Sequence, residues 1–159
     1  MGYHNILDCR YRYLLYIMRI LALDVGTKTI GVALSDELGI TANGVTTILR
    51  KNTRYDTGEI KKLVETYNPS EIVVGVPYDM NGEVTERGSE IMQFALKLKE
   101  ALELPINYWD ESFSTVNAEN MLIGANVSRK KRKKVIDKMA AVFILEEYLE
   151  SRRIVGSDD

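Results

Sequence analysis

Three carboxylates stand out by residue type and position: Asp24, Glu111 and Asp137. Asp24 closes an apolar run, and a carboxylate there must be exposed, well hydrogen-bonded or facing a cation. Asp110 and Glu111 follow a second apolar stretch. Side chains alternate along an extended chain, so only one of the two can face the working side, and we assign that place to Glu111. Two solvated loop acids are the alternative. Asp137 lies in a helical pattern, on one face with Lys133, Ala140, Ala141 and Ile144. The alanines let that face approach a sheet closely. A surface ion pair with Lys133 or Lys134 would account for the charge but not for the small residues. Acids from three distant parts of the chain, converging without histidine, suit a hard, oxygen-ligated cation, Mg²⁺ or Mn²⁺. Two such ions about 3.5–4 Å apart activate water and stabilise a leaving oxygen.

Composition narrows the chemistry further. The single histidine, His4, and the single cysteine, Cys9, both lie in the first ten residues. These counts argue against a Ser-His-Asp triad, a Cys-His pair or a multi-histidine zinc site in the periodic part of the chain. One cysteine permits no intrachain disulfide, which fits a reducing cytoplasm. The net charge is −2, so contact with nucleic acid needs a local basic patch. Arg129-Lys130-Lys131-Arg132-Lys133-Lys134 supplies six cations in a row. It stands at the start of a helix, where the macrodipole disfavours cations. A phosphate backbone explains that placement, and a merely solvated surface is the alternative. Arg87, Ser112, Ser114 and Thr115 are further phosphate-contact candidates. Lys28, with the hydroxyls of Thr27 and Thr29, lies beside Asp24.

The elements that position these groups follow from apolar spacing. Residues 1–17 read as an extension, poorly ordered, with Met18 a candidate start. Residues 18–150 read as one domain and 151–159 as a frayed tail. Strands are predicted at Arg19–Val25, Thr29–Ser35 and Ala42–Leu49, joined by short turns as an antiparallel meander. Asp56 is predicted to cap a helix, with Glu59 completing a capping box and Asn68-Pro69 ending it. Glu71–Val76 reads as a strand buried on both faces. A helix at Thr85–Leu102 buries Ile91, Phe94, Ala95, Leu98 and Leu102. A fifth strand covers Ile106–Trp109, then a short helix Thr115–Ile123 and a last helix Arg132–Glu150. Right-handed crossovers make the later strands parallel. The expected fold is α/β: a five-stranded mixed sheet, order 3-2-1-4-5, with helices on both faces. The strands ending at Asp24, Val76 and Trp109 share the end where open sheets carry their sites. No apolar run is long enough to cross a bilayer.

Four segments resemble one family. Leu23-Asp24-Val25-Gly26-Thr27-Lys28-Thr29-Ile30-Gly31-Val32-Ala33 is similar to the opening motif of the YqgF/RuvX proteins. Val73-Val74-Gly75-Val76-Pro77 with Asn81-Gly82, Asp110-Glu111-Ser112-Phe113-Ser114-Thr115, and Val135-Ile136-Asp137-Lys138-Met139-Ala140-Ala141 match their later motifs in order, from Met18 to about Leu149. Ser112 stands where the family usually has arginine. The resemblance implies an RNase H-like fold, divalent-metal phosphodiester hydrolysis, and an acidic site at Asp24, Glu111 and Asp137. It implies a nuclease acting on structured RNA, the precursor of 16S ribosomal RNA, in ribosome biogenesis. Branched-DNA junction resolution and non-catalytic RNA binding in ribosome assembly are the alternatives. An actin-like ATPase or sugar kinase also opens on Asp-x-Gly-Thr but needs two such domains. The partner is then nucleic acid, with no membrane, and the chain acts as a monomer or homodimer.

Overall fold

Strand β1 (Ile20–Val25) is buried on both sides except at Asp24, which is half-buried. Burial on both sides requires two covered faces, and each is covered by helix. In the computed structural model, which describes residues 19–111, 124, 126 and 128–156, β1 lies at the centre of a five-stranded sheet. Its neighbours are β2 (Thr29–Ser35), antiparallel, and β4 (Glu71–Val76), parallel. Strand β3 (Ala42–Leu49) forms one edge and β5 (Ile106–Asp110) the other, in the order β3-β2-β1-β4-β5. Expected and observed order agree.

Alternation sorts the strand residues into two cores. Leu21, Leu23 and Val25 join Ile30, Val32, Ile72, Val74 and Val76 beneath helices α1 (Thr53–Tyr67) and α2 (Glu86–Leu102). Ile20, Ala22, Ala33 and Val73 face α3 (Arg129–Gly156) and meet Ala141, Ile144, Leu145 and Leu149. Ala22, Ala33 and Ala141 at that second interface let the α3 backbone come close to the sheet. At β3, a Cβ on Gly44 would lie 2.6 Å from Lys138 Cε, so the Lys138 stem rests on bare backbone there.

Two expectations need correction. Asp56 does not cap α1: Asn52 does, its side chain accepting from the Tyr55 N–H at 2.9 Å. Asp56 is in the first turn, fully buried, and accepts from Arg50 Nε at 2.9 Å and the Lys51 N–H at 3.1 Å. Glu59 pairs with Lys62 and closes no capping box. The last helix is longer at both ends than Arg132–Glu150. Its first turn is closed by the Arg132 N–H donating to Ser128 O. Its last turns are helical to Gly156 because Arg152 reaches Glu71 and Arg153 reaches the Ile40 carbonyl. Both anchors belong to remote strands and turns, which no local pattern announces. Residues 1–17 and the expected helix Thr115–Ile123, apart from Gly124 after it, lie outside the described residues. Among the described residues no helix is long and apolar enough to cross a membrane.

Candidate active site

The site grows out of the end of β1. Asp24 is on the α3 side of the sheet, in register with Gly31 on β2. Directly paired residues share a face, so the absent side chain at 31 leaves the flank of Asp24 open. On the other flank β4 carries Gly75. A Cβ there would lie 2.5 Å from Ile144 Cδ1 and would run into the Glu111 carboxylate. Gly75 is thus the gap that admits both side chains. A Gly75→Ala substitution should cost about 1–3 kcal/mol through overpacking and should displace Glu111. Thermal unfolding read beside a cleavage assay checks this; wild-type values in both would show that the gap can relax.

Glu111 extends the β4–β5 register by one step beyond Val76 and Asp110, its N–H donating to Val76 O at 3.2 Å. That step turns it to the α3 side. Asp110, on the opposite side, is exposed. Glu111 lies in hydrogen-bonding contact with Asp24, and its Oε2 is buried without a hydrogen-bond partner. Burial first, then the Asp24 charge and the shared hydrogen bond, push its carboxyl from 4.5 up to about 9, with Arg87 opposing the rise. Two carboxyls in this position hold a proton between them or take a cation. The orphaned oxygen and the all-oxygen donor pair fit a divalent cation. Among the described residues no group of three metal-ligating side chains forms. The backbone of Asp137 lies on α3, four residues before Ala141 and seven before Ile144, while its side chain lies outside the described part.

The raised carboxyl makes stability pH-dependent. Between its unfolded value of 4.5 and its folded value of about 9, the folded state binds the extra proton. The stabilisation is complete below the lower value and lost as pH rises through the upper one. In chelator, Glu111→Gln should therefore melt several degrees above wild type at pH 8, with no gain at pH 4. Equal melting curves at both pH values would remove the acid-pair argument.

Two arginines fix the backbone beneath the acids. Arg87, a phosphate-contact candidate, donates from Nη2 to Val25 O at 2.9 Å and from Nη1 to Glu90 at 2.8 Å. Arg50, which sequence reasoning missed, donates from Nη1 to Gly26 O at 2.7 Å. The one sequence signal for Arg50 is an acid six residues on, Asp56, and it is legible only once β3 is known to end beside β1. Lys28 is exposed in the β1–β2 turn, which Gly26 N–H to Thr29 O closes at 2.8 Å.

Helix α3 carries the basic run towards the same end. Ile144 packs at Gly75 near the end of β4, and Arg152 reaches Glu71 at its start. The helix therefore runs against β4. Residues 129–134 lie about 15–23 Å beyond Ile144, counted at 1.5 Å per residue, past the edge holding Asp24 and Glu111. Arg129 and Lys131 are exposed and Arg132 is half-buried. The side chains of Lys130, Lys133 and Lys134, and all of Ser112, Ser114 and Thr115, lie outside the described residues.

A family model described as "RuvX: Holliday junction resolvase" matches residues 18–151. A Bacillus cereus (strain G9842) protein named "Putative pre-16S rRNA nuclease" is 56% identical over 137 residues, 85% of this chain and 100% of its own length. A Clostridium novyi protein of the same name is 50% identical over 134 residues, covering 84% of this chain and 99% of its own. Among solved structures, Thermus thermophilus RuvC in complex with a Holliday junction superposes with TM-score 0.54 at 12% identity, covering 86% of this chain and 96% of its own. The fowlpox virus resolvase with Holliday junction DNA gives 0.55 at 15% identity, covering 84% and 98%. These structures share the RNase H-like fold with this chain.

Proposed function

The chain belongs to the RuvX family, and from that premise we propose a nuclease that hydrolyses phosphodiester bonds in structured RNA, with precursor 16S ribosomal RNA as substrate. The observation that carries the reading is the Asp24–Glu111 pair, with one buried carboxylate oxygen left without a partner at the end of the central strand. Asp24, Glu111 and Asp137 would hold Mg²⁺ or Mn²⁺. Bound there, the cation supplies charge stabilisation at the phosphoryl group and acidifies water.

The remaining chemistry belongs to the chain. Gly31 leaves the flank of Asp24 low enough for a nucleic-acid backbone to approach, while Gly75 makes room for Glu111 beside it. Arg87 and Arg50 hold the Val25 and Gly26 carbonyls, so the Asp24 backbone is placed before substrate arrives. Glu111 holds a proton beside Asp24, and a cation held by the pair would favour its carboxylate form, the proton passing to solvent. The segment Arg129–Lys134 and Lys28 track flanking phosphates, and Ser114 and Thr115 add hydroxyl contacts. The setting is the cytoplasm, where ribosomal precursors are trimmed. One assay tests the reading: cleavage of precursor ribosomal RNA, single-stranded RNA and a four-way DNA junction, each with Mg²⁺, with Mn²⁺ and with chelator. Chelator-sensitive cleavage of the precursor is expected. Equal cleavage in chelator would end the metal assignment, and no cleavage of any substrate would end the nuclease reading.

A second reading, resolution of branched DNA, is favoured by the likeness to resolvase structures containing junctions. It requires two sites cutting symmetrically, hence a dimer. Junction cleavage by a protein that sediments as a dimer would select it over the RNA reading.

A further inference from the structure

On the opposite side of β1 from Asp24 lies a cavity of about 210 Å³, and three of its lining residues are Arg50, Arg87 and Lys97. Among the described residues the one carboxylate on its wall, Glu90, is engaged by Arg87. Arg50 is held rigidly: Nε to Asp56, Nη1 to Gly26 O, and its guanidinium 5.2 Å above the Phe94 ring. A guanidinium has five N–H donors, so donors remain on both arginines after these bonds. Among the described residues no carboxylate pairs with Lys97. Thr53, the first residue of α1, also lines the cavity, so the positive end of that helix adds to the field. A fixed, donor-rich, cation-excess hollow is suited to an oxyanion, and guanidinium to phosphate is a strong, geometrically specific pairing.

We infer that this cavity binds a phosphate group of the nucleic-acid strand, flanking the bond that is cut. The inference rests on the nuclease reading for the identity of the strand, not for the existence of the anion site. Val25 lines the cavity while Asp24 faces the other side, so a backbone crossing the thin β1–β2 turn meets both. The same two arginines hold the Val25 and Gly26 carbonyls. An anion in the cavity therefore draws on the groups that position Asp24, and occupancy and catalytic geometry are coupled through them.

The test uses two charge reversals on one helix. Lys97 lines the cavity, whereas Lys99 is exposed outside it. In a full-length Asp24→Asn background, oligonucleotide affinity should fall about tenfold with Lys97→Glu, as for one lost charge-assisted contact, and far less with Lys99→Glu. For Lys97→Ala the slope of log affinity against log salt should fall by about 0.7, one phosphate fewer on a single strand. Inorganic phosphate, titrated into the wild-type protein, should shift the side-chain NMR signals of Arg50 and Arg87 saturably, and Lys97→Glu should abolish the response. Equal losses for Lys97→Glu and Lys99→Glu would reduce the effect to net charge and overturn the site. Phosphate binding without any Lys97 effect on oligonucleotides would overturn the backbone assignment in favour of a free anion. If wild type cleaves no nucleic acid while the Lys97-dependent phosphate response persists, the nuclease reading fails and the anion site stands.

Discussion

Asp24→Asn is expected to abolish cleavage while the protein stays folded. Asparagine is nearly isosteric, and the change removes the charge that, after burial, most opposes ionisation of Glu111. Folding stability in chelator should therefore be unchanged or higher. The rate should fall about a thousandfold or more, because Asp24, as the proposed metal ligand, would support several kcal/mol of transition-state stabilisation and each 1.36 kcal/mol is a factor of ten. Circular dichroism and single-turnover cleavage together decide the matter. A folded Asp24→Asn protein with wild-type activity would move the chemistry away from β1.

The second large effect is structural. Asp56 is fully buried and Arg50 is 20% exposed, at 2.9 Å. Asp56→Ala removes the acid and leaves a guanidinium half-committed in the core, together with an unpaired Lys51 N–H. Breaking such a pair costs about 3–5 kcal/mol, against about 1 kcal/mol for the loss of an ordinary helix cap. The magnitude separates the two roles. For a chain of this size the melting temperature should drop by about 10 °C, and cleavage should fall even at temperatures where the variant is folded, because Arg50 also holds Gly26. A loss near 1 kcal/mol would return Asp56 to a capping role.

The sheet was legible where local chemistry suffices. Strands β2, β3 and β4 have the expected bounds because their apolar runs are punctuated by turn residues. The pairing of Asp24 with Glu111 followed from two simple rules: acids at the ends of parallel strands share an edge, and side chains alternate. What stayed hidden depends on contacts between remote segments. Asp56 carries the signature of a cap, and only the approach of the β3 end turns it into Arg50's partner. The last helix continues past Glu150 because Glu71 and Ile40 lie at its far end. Gly75 reads as a motif glycine, and its purpose emerges only when Glu111 and Ile144 arrive on either side.

The two arginine bonds to the end of β1 have a dynamic consequence. Functional segments are often drawn from the least stable parts of a fold, where local opening costs little. Here the carbonyls of Val25 and Gly26 are tied to α2 and to the end of β3, and β1 itself is the central strand. The segment bearing Asp24 cannot fray alone. Its breathing is slaved to the cooperative melting of the whole sheet, so amide protons around Asp24 belong with the slowest-exchanging set.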